Sequence, residues 1–153
     1  MAWIESHQEL ERHPKTLALT GLMGWDVDVT LGKLHRFWWW CVDYAEDGDL
    51  RRYDDKQLGS AVGIYGEQSK DFVGAMIAAR WLDQAPYFRI HDWWSYFGRF
   101  LQVKYKNAPN KWQRIKEMYN GCNNPPNNGC NNGIPNLTKP NQTKPKIIIP
   151  EGG

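Results

Sequence analysis

Apolar residues recur at helical spacing over most of the first 120 positions and stop doing so beyond them. The clearest run is Val27, Leu31, Leu34, Phe37, Trp38, Cys41, Val42 and Ala45, spaced i, i+3, i+4, i+7, which predicts a long helix over 26–46, capped by Asp26 and stopped at Gly48. Before it, Leu10, Leu17, Leu19, Leu22 and Met23 predict a helical stretch up to Gly24, split near Pro14. Ser6 and Glu9 have the spacing of a capping box at its start, and Trp3-Ile4 reads as a short strand.

After the long helix, Asp49-Leu50-Arg51 reads as a short extended piece. Asp54, with Gln57 three residues on, caps a short helix over 55–62. Gly63-Ile64-Tyr65-Gly66 is a turn, and a second helix over 67–80 carries Phe72, Val73, Met76 and Ile77 on one face. Residues 81–83 and 87–91 read as two strands of a hairpin, with Tyr87, Arg89 and His91 outward and Phe88 and Ile90 inward. Two further helices follow, from Trp93 to about 107 and from Pro109 to about 119. Helix, strand, helix, turn, helix, hairpin is the order of a winged helix-turn-helix. The expected fold is therefore mainly α with a small β-hairpin: a winged-helix domain with flanking helices over 1–120, then a tail over 121–153.

The tail is almost all Asn, Pro, Gly, Thr and Lys, with repeated Asn-Asn-Gly and Thr-Lys-Pro. Such a composition buries too little apolar surface to offset its ordering entropy, so disorder is expected there. Ile147-Ile148-Ile149 is its one apolar spot.

Three adjacent indoles, Trp38-Trp39-Trp40, complicate the long helix. At ~100° per residue they cover ~200° of its circumference, more than one stripe can bury. Either the helix is central, with neighbours on two sides, or it exposes a Trp as a partner surface or base-stacking platform.

Charge changes the picture more than overall composition does. The chain of 153 residues carries a net charge of only +2. Residues 1–98 hold 10 Lys+Arg against 15 Asp+Glu, whereas residues 99–153 hold 9 against 2. A basic C-terminal third points to a polyanionic partner. Arg99, Lys104, Lys106, Lys111, Arg114 and Lys116 are met by Glu117 alone between 99 and 119. Trp112, Ile115 and Tyr119 fall on one side of the last helix and Lys111, Arg114 and Lys116 roughly on the other. That face is expected to hold the phosphate backbone of DNA. The second helix of the helix-turn-helix offers Lys70 between Glu67 and Asp71, a poor major-groove reader. Lys70, and Arg89 on the hairpin, would contribute only if the winged helix faces the duplex.

Enzyme chemistry finds little foothold. There is no Gly-rich phosphate loop, no nucleophile elbow and no His-Glu-x-x-His. Cys122 and Cys130, eight apart with no neighbouring His, lack zinc-site spacing. Asp43, Glu46, Asp47 and Asp49 read as a solvated turn rather than a metal site. No cofactor and no membrane span are expected, and three Cys with no secretory signal point to the cytoplasm.

The opening Trp3-Ile-Glu-Ser-His-Gln-Glu-Leu resembles the start of phage replisome-organiser proteins, prophage relatives of DnaD-like primosomal factors. So do His35-Arg-Phe-Trp-Trp-Trp with Asp43-Tyr-Ala-Glu-Asp-Gly-Asp-Leu, and Met76-Ile-Ala-Ala-Arg-Trp-Leu-Asp followed by Phe88-Arg-Ile-His-Asp-Trp. The likeness covers about residues 1–100. It implies a winged-helix domain that acts in DNA replication initiation, binding origin DNA or assembling with a helicase loader or other replication proteins in a bacterial host cell. Family members often carry a further C-terminal domain for loader contact, where this chain has its Asn/Pro tail. Two other readings stand beside it. One is a protein-interaction module, working by self-association or loader contact without touching DNA. The other is a transcriptional regulator, which needs a base-reading helix.

Overall fold

A computed structural model describes residues 3–123, with side chains to 117. The described residues form six α-helices and a two-stranded antiparallel sheet, in two compact units. One unit comprises residues 1–91 and the other begins at Asp92. The tail expected from 121 onward, Ile147–Ile149 included, lies outside the described residues except for 121–123, which extend the last helix.

In the first unit a 3-10 turn over Gln8–Arg12 leads into α1, Pro14–Met23. Pro14 occupies the first helical turn, where its missing N–H costs nothing, and the His13 ring accepts the Lys15 N–H at 3.2 Å as the cap. Gly24 ends the helix at φ 69°, a left-handed conformation that glycine adopts without strain. Two local expectations fail here. Trp3 and Ile4 lie in no strand. The Ser6–Glu9 capping box is replaced by a bond between Ser6 Oγ and His35 Nε2 at 3.0 Å, so a tertiary partner outcompetes the local one.

α2, Val27–Tyr44, is the core of this unit. Leu34, Phe37, Trp38, Cys41 and Val42 are buried, the stripe its periodicity requires. The Trp38 ring meets Trp81 edge-on at 5.5 Å, and Phe37 meets Phe72 at 6.1 Å. Trp40 turns to the other side, 4.8 Å from Tyr53, while Trp39 is left 55% exposed. Of the two arrangements open to three adjacent indoles, the molecule combines both.

α3, Asp55–Ala61, begins with the expected capping box: Asp54 accepts the Gln57 N–H at 2.8 Å, and the Gln57 side chain accepts the Asp54 N–H at 2.9 Å. α3 packs tightly on α4, Gln68–Ala78. A Cβ on Gly59 would sit 2.4 Å from Ser69 Oγ and 2.8 Å from the Ile64 carbonyl, so only glycine fits this crossing. Gly63 and Gly66, at φ 79° and 69°, form the turn between the two helices. α1 packs against both α2 and α4, and the Thr20 and Thr30 hydroxyls share a hydrogen bond at 2.7 Å across the α1–α2 contact.

The sheet pairs β1, Leu82–Asp83, with β2, Arg89–Ile90, in the register Leu82 with Ile90 and Asp83 with Arg89. Asp49 forms a further bridge with Arg89, which places β2 between the segment after α2 and β1. The face expected to point outward is covered. Tyr87 is buried beneath the Arg51 guanidinium, which lies 4.4 Å from its ring centre and is held there by Asp49 at 2.7 Å. The Arg89 side chain is only 11% exposed and lies 3.6 Å from Asp83. A two-residue strand inside a sheet is too short for strict in-and-out alternation to survive such packing.

The second unit holds α5, Trp93–Lys104, and α6, Pro109–Asn123. Trp93, Phe97 and Leu101, spaced i, i+4, i+8, are buried along one face of α5. No helix of the described residues is long and apolar enough to cross a membrane.

Candidate nucleic-acid interface

The α5–α6 pair is fixed by aromatic contacts. Trp94 of α5 stacks on Trp112 of α6, with ring centres 5.0 Å apart and planes 27° from parallel. Gly98 lies beneath Trp94, where a Cβ would stand 3.1 Å from the indole. Tyr105 ends α5 and is 8% exposed. Its ring carries two ammonium groups, Lys104 Nζ at 5.2 Å and Lys111 Nζ at 4.6 Å. The chain then turns through an Ala108 N–H to Tyr105 C=O bond of 2.9 Å, and Pro109 opens α6.

On α6, Ile115 is buried and Trp112 half-buried, while Lys111, Arg114 and Lys116 are exposed. The apolar side of the helix faces inward, as its spacing requires; Tyr119 lies beyond the described side chains. Lys106 is exposed in the turn, and Arg99 and Lys104 are exposed on α5. Glu117, the acid of this stretch, accepts a bond from Gln113 Nε2 at 2.8 Å. Among the described residues, Lys106, Lys111, Arg114 and Lys116 enter no ion pair. Burial, with the charge of Asp92 adding to it, pushes the Tyr96 phenol up to about 12, so it brings no negative charge at neutral pH.

The two remaining candidates belong to the other unit. Lys70 is exposed and stands 3.9 Å from Glu67. Arg89, expected on an exposed hairpin side, is instead only 11% exposed, beside Asp83 and the Tyr87 ring, which leaves little of it for a surface role. Asp83 also meets His91 Nδ1 at 2.9 Å. Burial works to raise the Asp83 carboxyl, but the His91 bond and charge together with Arg89 and Lys15 outweigh it and hold the group below the ordinary carboxylate range. Asp49 is held low chiefly by its bond to Arg51, against an opposing effect of burial.

Gly74, Ala75 and Ala78 of α4 line a cleft of about 780 Å³ together with Leu22, Trp25, Ile64 and Asp71. The sequence gives no sign of this, because its wall comes from the end of α1, fifty residues earlier in the chain. Lys33 lines the same cleft and donates to the Val62 carbonyl at 2.7 Å. Desolvation first, then the charge of Arg36, lowers its affinity for a proton.

The acids after α2 serve the turn. Asp47 Oδ1 accepts the Asp49 N–H at 3.0 Å and lies 3.6 Å from Arg52, while Asp49 holds Arg51. Among the described residues no group of three His, Cys, Asp or Glu could hold a metal ion. Cys41 is fully buried and its thiol is raised well above its ordinary value by desolvation, which makes it a poor nucleophile. No protein-family model, curated protein or solved structure matches the chain.

Proposed function

We propose that this chain is a non-catalytic DNA-binding protein that grips the phosphate backbone through α5 and α6 and acts, as its resemblance to replisome organisers implies, in replication initiation. The observation that carries the reading is the set of exposed cations Lys106, Lys111, Arg114 and Lys116, unanswered by any carboxylate of the described residues. Arg99 and Lys104 extend the positive stretch along α5. A cation already neutralised inside the protein gains little from a phosphate; these four keep their full charge for it. Recognition of this kind is salt-dependent and nearly indifferent to sequence.

For the first unit we propose a winged helix-turn-helix. Its element order and the middle position of β2, between Asp49 and β1, support that reading. In this reading the winged helix does not read bases, because α4 offers a single cation, Lys70, between Glu67 and Asp71. The cleft lined by α4 favours a second function, protein contact, over a transcriptional regulator. Equilibrium binding of a fluorescently labelled duplex in 50 mM salt tests the main proposal. The wild-type chain should bind and the Lys111→Glu/Arg114→Glu double variant should lose at least tenfold in affinity. A duplex that stays free at low salt would leave the protein-contact reading in its place.

A further inference from the structure

The cleft over α4 has the features of a docking groove rather than of a surface dimple. Its floor runs along a helix of 11 residues, about 16 Å at 1.5 Å per residue. Gly74 and Ala78, one turn apart, expose backbone where larger side chains would stand, and a Cβ on Gly74 meets nothing within 4 Å. Its wall includes Leu22, 55% exposed, an apolar side chain that the fold does not use. The charge on the α2 side is one-signed. Lys33 lines the cleft, and the Arg36 guanidinium stands 3.2 Å from where a Cβ on Gly63, another lining residue, would lie. Neither has a carboxylate partner among the described residues. Lys70, by contrast, is already beside Glu67.

We propose that this groove receives an amphipathic helix of a partner protein, one that lays small aliphatic side chains on Gly74 and Ala78 and turns acidic residues toward Lys33 and Arg36. A helix fits because α4 lines the cleft over its 11 residues, a span that anchors at i, i+3, i+4 and i+7 match. A small-residue floor lets the two helix axes approach closely. An acidic partner fits because Lys33 and Arg36 on the α2 side form no ion pair among the described residues, while Asp71, the carboxylate that also lines the cleft, belongs to α4. The inference is independent of the α5–α6 reading, as no residue is shared.

The test uses the full chain and two labelled synthetic 16-residue helices with the same Leu/Ala face, one with Glu and one with Lys on the polar face. By fluorescence anisotropy the acidic helix should bind at least tenfold more tightly than the basic one. Gly74→Leu, which fills the floor from a site where nothing stands in the way, should reduce that binding tenfold or more. Lys33→Gln/Arg36→Gln should weaken it several-fold. Both variants should keep wild-type duplex binding and a wild-type circular dichroism melt, and Ala78→Leu repeats the floor test should Gly74→Leu melt early. Equal binding of the two helices, or no loss in the floor variants, overturns the proposal. So does a sedimenting dimer that Gly74→Leu abolishes, which would seat a second copy in the groove, or displacement of the acidic helix by duplex, which would make the cleft a DNA site.

Discussion

The two units handle charge differently. In the first, several cations meet an acid: Arg51 meets Asp49, Arg52 meets Asp47, Arg89 meets Asp83 and Lys70 lies near Glu67, while Lys33 and Arg36 beside the cleft have no ion pair among the described residues. In the second, Lys106, Lys111, Arg114 and Lys116 enter no ion pair among the described residues. The difference teaches that a count of basic residues does not locate a polyanion site. Arg89 and Lys111 look alike as letters, each a cation next to one aromatic residue. One is buried with its counter-ion; the other stands in solvent over a tyrosine ring. What separates them is the supply of carboxylates within reach, rich before residue 98 and nearly absent after it.

The comparison breaks most easily at the core of the first unit. Phe37 is fully buried against Phe72 and Trp40. Phe37→Ala should cost about 3–5 kcal/mol, seen as a large fall in the urea midpoint, and the internal pairing of Arg51, Arg52 and Arg89 should be lost with it. A smaller loss is expected from Gly59→Val, since side-chain atoms at that crossing collide with Ser69 and the Ile64 carbonyl; about 1–3 kcal/mol is the scale of such overpacking. Asp54→Ala removes the α3 cap and should cost about 1 kcal/mol by the same urea titration.

The smallest effect concerns acid. Asp83 and Asp49 are held below their ordinary values in the folded chain. Each therefore contributes stability that is complete above about pH 4, the unfolded value, and is lost as pH falls through the folded one. Asp83→Asn should flatten the acid limb of a stability-against-pH curve while leaving the cations of α6 untouched. An unchanged acid limb would mean that Asp83 gains nothing from His91 and Arg89.

Local signals were legible in the sequence and tertiary ones were not. The Asp54–Gln57 capping box, the α2 stripe and the inward side of α6 follow from spacings of three and four residues, and the structure carries them. The Ser6 capping box had the same spacing but lost to His35, twenty-nine positions away. Arg89 lies inward against the surface expectation because the Asp49 segment after α2 pairs with β2 on the side opposite β1, a contact between distant parts of the chain. The cleft was invisible for the same reason: α4 displays Gly74, Ala75 and Ala78 as a bland outer face until the end of α1 walls it in. The exposure of Lys111, Arg114 and Lys116 opposite Ile115 was legible because it depends on the spacing along one helix, a property of the chain itself.

The contrast between paired and unpaired cations is tested most directly by the salt dependence of duplex binding. For wild type, log affinity should fall linearly with log salt, and each of Lys106, Lys111, Arg114 and Lys116 changed to Gln should reduce the slope by up to about 0.9, while Arg51→Gln leaves it unchanged. A slope that is flat in wild type, or that drops as much for Arg51→Gln as for Lys111→Gln, would contradict the assignment of the phosphate-binding face to α5 and α6.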